Sequence, residues 1–186
     1  MPLNHTSQYA ELTDNQFLLI GKLAVEFSSI EFLLSVVLSR LLITPSFLSR
    51  TYTERMNVSA LTEKIKNALD IHDRRYSNTI IPKDLCELIK NQLSEIEKVR
   101  LIRNKFAHYC WCRHSDEEIF GTGFLGKQAK FDKHNKHNED AIVISNIEIE
   151  NLYKTSYKIV GELDKIIEAL PELLEDNELK NKLSYK

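Results

Sequence analysis

A long apolar stripe with helical spacing, near the start of the chain, is the feature that most constrains the fold. Its members recur at intervals of three and four residues, which places them on one face of an α-helix. They are Ile20, Leu23, Ala24, Phe27, Ile30, Leu34, Leu38 and Leu41. The pattern predicts a helix from about Leu12 to Ile43, with Thr13 or Asp14 as the N-cap and Pro45 beyond its end.

The opposite side of this first helix is also partly apolar. It carries Leu18, Val25, Phe32 and Val36. A helix that is apolar on two sides is expected to bury both of them. We therefore predict that the second side contacts either another part of the core or a second copy of the chain.

Other segments repeat the helical period. A second helix is predicted over about Val58–His72, with Ser59 as its cap, and a third over about Pro82–His108. A fourth is predicted over about 145–170 and ends where Pro171 cannot continue it. A short terminal helix over 171–183 would follow.

The pattern changes between the third and fourth helices. Gly121, Gly123 and Gly126 interrupt the chain there, and Ala141–Ile144 is a short apolar run typical of a strand. A loop or small β-hairpin is therefore predicted as an insert between these helices. The predicted fold class is all-α: an antiparallel four-helix bundle with this insert and a short C-terminal helix, forming one domain over residues 1–186.

Composition excludes several classes of protein. With 186 residues, 42% of them hydrophobic, the chain can bury one core. It has no uncharged apolar run of about 18 residues and no signal-peptide pattern at its N-terminus. Its three cysteines, Cys86, Cys110 and Cys112, are an odd number, which fits a reducing compartment. We therefore expect a cytoplasmic protein with no disulfide and no membrane partner.

Charge is distributed unevenly along the chain. Between residues 98 and 137, nine lysine and arginine residues accompany four acidic ones, although the net charge of the whole chain is −2. A basic segment on an otherwise acidic protein attracts polyanions such as nucleic acids. A lysine-rich loop that is simply solvated would give the same pattern.

Arg103 interrupts the apolar stripe of the third helix. Helical geometry points it in the same direction as Ile96, Val99 and Ala107. An unpaired guanidinium in a core costs several kcal/mol. Glu31 breaks the stripe of the first helix in the same way. Arg103 therefore needs an acidic partner, a ligand or a wet cleft. Glu31 is the acidic partner that the pattern offers, through a buried salt bridge that would still leave other guanidinium donors able to reach a phosphate.

The third helix closes with the sequence RNKFAH, from Arg103 to His108. An Arg-Asn-x-x-x-His signature at the end of the third helix of a small four-helix bundle resembles the HEPN domains of prokaryotic toxins and antiviral systems. A glutamate in a long first helix and aromatic residues after the histidine, here Tyr109 and Trp111, are also similar to members of that group. The chain departs from one toxin subgroup, which has a tyrosine two residues after the histidine, because Cys110 stands there.

The resemblance implies a metal-independent endoribonuclease that needs no cofactor and works as a homodimer, with the motifs of both protomers facing one cleft. Arg103 and His108 would be catalytic, with Asn104 as a polar supporter and Glu31 as the residue that orients the arginine. His108 would take the proton of a ribose 2′-hydroxyl or protonate the leaving 5′-oxygen. Arg103 would stabilise the charge on the phosphate.

The same resemblance implies a binding surface and a biological setting. Basic and aromatic residues around the motif would bind RNA. They are Lys105, Tyr109, Trp111 and Arg113. A toxin or phage-defence role would follow, with an antitoxin or activator protein as a second partner.

Two other interpretations stay open at this stage. A bundle with an Arg/His pair can also serve as a non-catalytic module that binds RNA or a nucleotide, or that dimerises. Alternatively, Cys110, Cys112 and His114, followed by His134 and His137, would supply thiolate and imidazole ligands for zinc. The Cys-x-Cys spacing is not that of the usual zinc knuckle.

Overall fold

A computed structural model describes residues 11–123 and 141–172. The described helices are α1 (Asp14–Leu41), α2 (Ser46–Thr53), α3 (Val58–Tyr76), α4 (Lys83–His108) and α5 (Asn146–Ala169). The described strands are β1 (Tyr109–Arg113), β2 (Glu118–Gly123) and β3 (Ala141–Ser145). The fold is therefore mainly α-helical, with a small sheet between α4 and α5 in the sequence.

Contacts divide the chain into two compact units, each assembled from segments that are distant in sequence. The first unit comprises Met1–Phe27 and Glu97–Tyr157, and the second comprises Ser28–Ile96 and Lys158–Lys186. α1, α4 and α5 each contribute residues to both units. The predicted single domain over residues 1–186 stays a prediction.

The first unit contains the sheet, an antiparallel meander in the order β1-β2-β3. One face of the sheet packs on the helices, because alternate residues along each strand are apolar. The buried centre of this packing is Leu19, Ile119, Ile144 and Ile149, against which Leu12, Ile20, Ile102, Phe106, Trp111 and Ile142 pack. β1 begins at the residue that follows α4, so no loop separates the RNKFAH motif from the sheet.

Glycines in β2 make room for the aromatic side chains of β1. Trp111 pairs with Gly121, and Tyr109 pairs with Gly123. A Cβ atom placed on Gly121 would lie 2.6 Å from the Trp111 ring, which is closer than a methyl group can approach. The indole therefore lies against the backbone of β2, and it stacks on Phe106 with 4.6 Å between ring centroids.

All regular secondary structure in the described part of the second unit is helical. Its core is built from the apolar stripes of the participating helices. These buried residues include Ile30, Leu34, Leu38, Leu61, Ile65, Leu69, Leu93 and Ile166. The buried His72 donates from Nε2 to the carbonyl oxygen of Leu41 at 2.8 Å, which satisfies an acceptor at the C-terminal end of α1.

Most of the predicted helix boundaries are confirmed. α1 begins with a capping box in which Thr13 and Gln16 exchange backbone-to-side-chain hydrogen bonds of 2.9 and 3.2 Å. α4 ends at His108 and α5 begins at Asn146. The cap of α3 is Asn57 and not Ser59, because the Asn57 side chain accepts a hydrogen bond from the backbone N–H of Ala60.

Other parts of the predicted fold need correction. The sequence pattern does not predict α2, whose eight residues are too few to show a helical period. The insert is a three-stranded meander and not a hairpin, because β1 continues directly from α4. The predicted terminal helix over 171–183 lies almost entirely outside the described residues, and the described residues up to 172 are not helical there.

Of the four residues on the second apolar side of α1, three are exposed and the fourth, Val36, is half-buried. Leu18, Val25 and Phe32 are 54%, 65% and 54% exposed. The prediction that a second part of the core buries them is therefore wrong for the described residues, whereas contact with a second copy stays a prediction. None of the described helices combines the length and the apolarity that crossing a membrane requires.

The contact between Gly121 and Trp111 predicts a stability effect. Gly121→Ala should lower the free energy of unfolding by about 1–3 kcal/mol, because the new methyl group overlaps the indole. Gly161→Ala is the matched control, since nothing lies within 4 Å of a Cβ there and the site is an exposed helix interior. It should raise stability by up to about 1 kcal/mol. Urea denaturation compares the two, and equal effects would contradict the predicted clash.

The capping box of α5 predicts a pH-dependent effect. Hydrogen bonds from the backbone N–H and hydroxyl of Ser145, at 2.8 and 2.7 Å, lower the pKa of Glu148. This stabilisation is therefore present above the unfolded pKa of glutamate, about 4.3, and is lost as the pH falls through the lower folded pKa. Because the carboxylate is exposed, Glu148→Ala should cost only about 0.5–1 kcal/mol at neutral pH.

Urea denaturation of wild type and Glu148→Ala across the acid range measures this effect. The stability difference should shrink as the pH falls below about 4. Glu168→Ala, at the other end of α5, is the control and should show no such pH-dependent loss of stability. If the difference in the free energy of unfolding between wild type and Glu148→Ala stays constant down to acid pH, the Glu148 carboxylate is not the stabilising group.

Candidate active site

Arg103 lies in the penultimate turn of α4 and is half-buried. Its guanidinium carbon is 4.8 Å from the centre of the Phe27 ring, a distance at which cation–π attraction is effective. Within the described residues the guanidinium takes part in no ion pair and no hydrogen bond. All five of its N–H donors therefore remain available to solvent or to a ligand.

The arginine lies in a small groove between α1 and α4. The groove has a volume of about 110 Å³ and is lined by Ile20, Leu23, Ala24, Arg103, Phe106 and Ala107. That volume is well below the roughly 300 Å³ of typical small-molecule sites. The groove can therefore accept a group the size of a phosphate, but not a whole nucleotide.

The predicted salt bridge between Glu31 and Arg103 is not formed. Glu31 is half-buried and is in no ion pair within the described residues. It lines a cavity of about 350 Å³, together with residues that include Phe32, Arg50 and Glu54. The physical reason is that the Arg103 guanidinium is only half-buried and keeps contact with water. It also lies on an aromatic ring, so it does not require a carboxylate partner.

His108 is the last residue of α4 and is exposed. Five residues of helix rotate the chain by about 500°, so His108 points about 140° away from Arg103 and lies about 7.5 Å further along the axis. It shares its helix face with Asn104 and with Leu101, which is 56% exposed. Within one chain, the motif thus presents its arginine and its histidine in different directions.

The predicted RNA-binding aromatic residues take part in internal stacking. Trp111 stacks on Phe106, and its ring centroid lies 6.1 Å from that of Tyr109. The buried indole N–H of Trp111 has no hydrogen-bond partner among the described residues. The amine of Lys105 lies 5.9 Å from the Tyr109 ring centre. Trp111 therefore contributes to the packing of the sheet on α4, and base stacking by it stays a prediction.

The predicted RNA-binding residue Arg113 and the turn that follows it are held by internal contacts. The guanidinium of Arg113 forms an exposed ion pair with Asp116. The fully buried Gln16 donates from Nε2 to the Ser115 carbonyl at 3.0 Å, and Asn146 donates from Nδ2 to the Asp116 carbonyl at 2.9 Å. Gln16 was not among the residues predicted from the sequence. The Thr-x-x-Gln spacing from Thr13 is typical of a helix N-terminus, but it does not predict the contact of Gln16 with this turn.

Metal ligands do not cluster in the described part of the chain. There, no group of three or more histidine, cysteine, aspartate or glutamate side chains is arranged to hold an ion. His114 lies with its Nε2 3.9 Å from the Glu118 carboxylate. His134 and His137 fall outside the described residues, so the zinc interpretation has no support from the ligands that are described.

Comparisons with known proteins add nothing to this geometry. No protein-family profile, curated protein or solved structure matches the chain.

The contact between Gln16 and the turn predicts a second stability effect. Gln16→Ala leaves the Ser115 carbonyl without its donor and the backbone N–H of Thr13 without its acceptor, which should cost about 1–3 kcal/mol. Gln92→Ala, at a half-buried site on α4, is the control and should change stability by less than about 0.5 kcal/mol. Thermal unfolding compares them, and equal losses would rule out a specific role for the Gln16 amide.

Proposed function

We propose that this chain is a metal-independent endoribonuclease of the HEPN type. The observation that carries the proposal is the state of Arg103: a half-buried guanidinium at a phosphate-sized groove, held by the ring of Phe27 and with none of its donors bound within the described residues. A guanidinium is permanently charged, and its N–H donors are arranged in a planar fork that matches the oxygens of a phosphate. With these donors free, it is suited to binding a phosphate. It lies in the RNKFAH motif, which resembles the HEPN signature.

The proposed reaction uses the ribose next to the scissile phosphate. His108 takes the proton of the 2′-hydroxyl, whose oxygen then attacks the phosphorus, or it protonates the departing 5′-oxygen. Arg103 offsets the negative charge that builds up on the phosphoryl oxygens. The products are a cyclic phosphate and a free 5′-hydroxyl. DNA lacks the attacking hydroxyl and is not a substrate.

A homodimer forms part of the proposal, together with the finer description of the fold as a HEPN-like four-helix bundle. Exposed apolar side chains occur on both helices of the groove: Phe17, Leu18 and Val25 on α1 and Leu101 on α4 are each more than half exposed. Such surfaces are typical of protein interfaces. A two-fold axis beside the groove would also bring the arginine of one protomer toward the histidine of the other.

The remaining residues receive supporting roles in the proposal. Asn104 shares the helix face of His108 and would hydrogen-bond the substrate. Lys105 and Tyr109 follow the groove and would contact the RNA backbone and a base. Arg113 would bind a phosphate only by exchanging its Asp116 partner. The roles of Glu31 and of an antitoxin or activator rest on the resemblance alone.

One observation favours a second candidate function, a non-catalytic RNA-binding or dimerisation module. Within the described residues His108 forms no hydrogen bond or ion pair, whereas catalytic bases are commonly oriented by another group. An unoriented histidine and a free arginine on different sides of one helix would bind RNA without cutting it.

RNA cleavage in the presence of EDTA tests the proposal. Wild-type protein should cut a mixed RNA pool and leave cyclic-phosphate ends. Arg103→Ala and His108→Ala should each reduce the rate by about 100-fold or more, because each removes a group that acts in the transition state. Sequencing of the fragment ends and gel analysis provide the measurement.

Arg75→Ala and His114→Ala are the matched controls, since both residues are exposed and lie outside the proposed site. Their activity should equal that of wild type. Cleavage that persists in either motif variant, or that requires an added divalent ion, would refute the proposal. Binding of RNA by wild type without any cleavage would favour the non-catalytic module.

A further inference from the structure

The outer face of the sheet carries two thiols on one strand. Cys110 and Cys112 alternate with Tyr109 and Trp111 along β1. Because Trp111 packs inward on Phe106, the two cysteines project from the opposite face. Both are free thiols; Cys110 is exposed and Cys112 is half-buried.

Strand geometry prevents these thiols from joining each other directly. Residues two apart on a strand have Cα atoms about 6.7 Å apart and nearly parallel Cβ directions. A disulfide needs Cβ atoms about 3.8 Å apart. Forming one would distort β1, which pairs with β2 at every residue from Tyr109 to Arg113. The pair is therefore held as two separate sulfur ligands.

A bound ion can span the distance that a disulfide cannot. Two bonds from thiolate to metal, each about 2.3 Å long, separate the sulfurs by up to about 4.6 Å. The neighbours on this face are Thr122 and Phe120 on β2 and Val143 on β3. Glu118 and His114 also belong to this face, beyond Phe120 and Cys112, but among the described residues no third carboxylate, imidazole or thiol is placed to hold an ion together with the two cysteines. Zinc usually takes four ligands, whereas softer ions accept fewer.

We propose that Cys110 and Cys112 form a binding site for a thiophilic ion of low coordination number, of the class of Cu(I) or trivalent arsenic. Binding consumes no oxidant, since two thiols give up two protons and both sulfurs stay in the thiolate state. The site is independent of the proposed ribonuclease reaction, because neither cysteine takes part in it.

Phenylarsine oxide tests this site on the reduced, full-length protein. The arsenical condenses with two thiols, forms two arsenic–sulfur bonds and releases its oxygen as water. We expect one arsenical per chain, retained against excess monothiol and released by a dithiol. Peptide mass mapping of wild type should show Cys110 and Cys112 protected from alkylation.

Serine variants identify the ligands. Cys110→Ser and Cys112→Ser should each lose the arsenical, whereas Cys86→Ser, at a buried position in α4, should retain it. A one-to-one Cu(I) complex that both variants lose would assign the site to copper, and arsenical binding alone would assign it to arsenic. Alkylation of both cysteines in arsenical-treated wild type, or full retention by either single variant, would overturn the proposal. The mapping needs no variant, so a folding defect cannot hide the result.

Discussion

The guanidinium of Arg103 lies over the ring of Phe27, and the candidate site depends on this contact. A carboxylate would hold the group equally well, but it would neutralise its charge and occupy its donors. An aromatic ring attracts the cation through its π-face and leaves every N–H free. The contact therefore keeps a full positive charge in the groove between α1 and α4, where a phosphate can be bound.

The sheet fixes the end of the helix that carries His108. Helix ends commonly fray, because their last carbonyl groups lack intrahelical partners. Here the chain passes without a loop from His108 into β1, whose residues pair along their length with β2. Stacking of Trp111 on Phe106 then ties β1 back to α4. Backbone on both sides of the histidine is thus held by regular structure.

Much of the fold follows from local signals in the sequence. The capping box at Thr13 and Gln16 and the start of α5 at Asn146 mark helix ends that depend on a few neighbouring residues. Of the three strands, only β3 follows in this way, from the apolar run Ala141–Ile144. β1 and β2 do not, because five or six residues are too few to show a clear period. The fit of Trp111 over Gly121 becomes visible only once the strand register is known.

The candidate site shows the same division between local and tertiary information. Helical geometry gives the direction of Arg103, and its departure from an apolar stripe marks it as unusual. Helical geometry does not show whether water reaches the guanidinium. Access to water decides whether the arginine needs a carboxylate partner or can lie on an aromatic ring. The predicted ion pair with Glu31 was wrong for this reason: the arginine is half-buried, and Phe27 belongs to the same stripe as the apolar core.

The proposed function requires this site to cleave RNA by attack of the 2′-hydroxyl on a phosphate bound at Arg103. The most direct measurement uses an RNA with one mapped cleavage position, beside the same RNA carrying a single 2′-deoxynucleotide immediately 5′ of that position. Loss of cleavage at that phosphate, with cleavage elsewhere unchanged, is the predicted result. Cleavage that continues at the 2′-deoxy position would contradict the mechanism, because no 2′-hydroxyl would be present to attack.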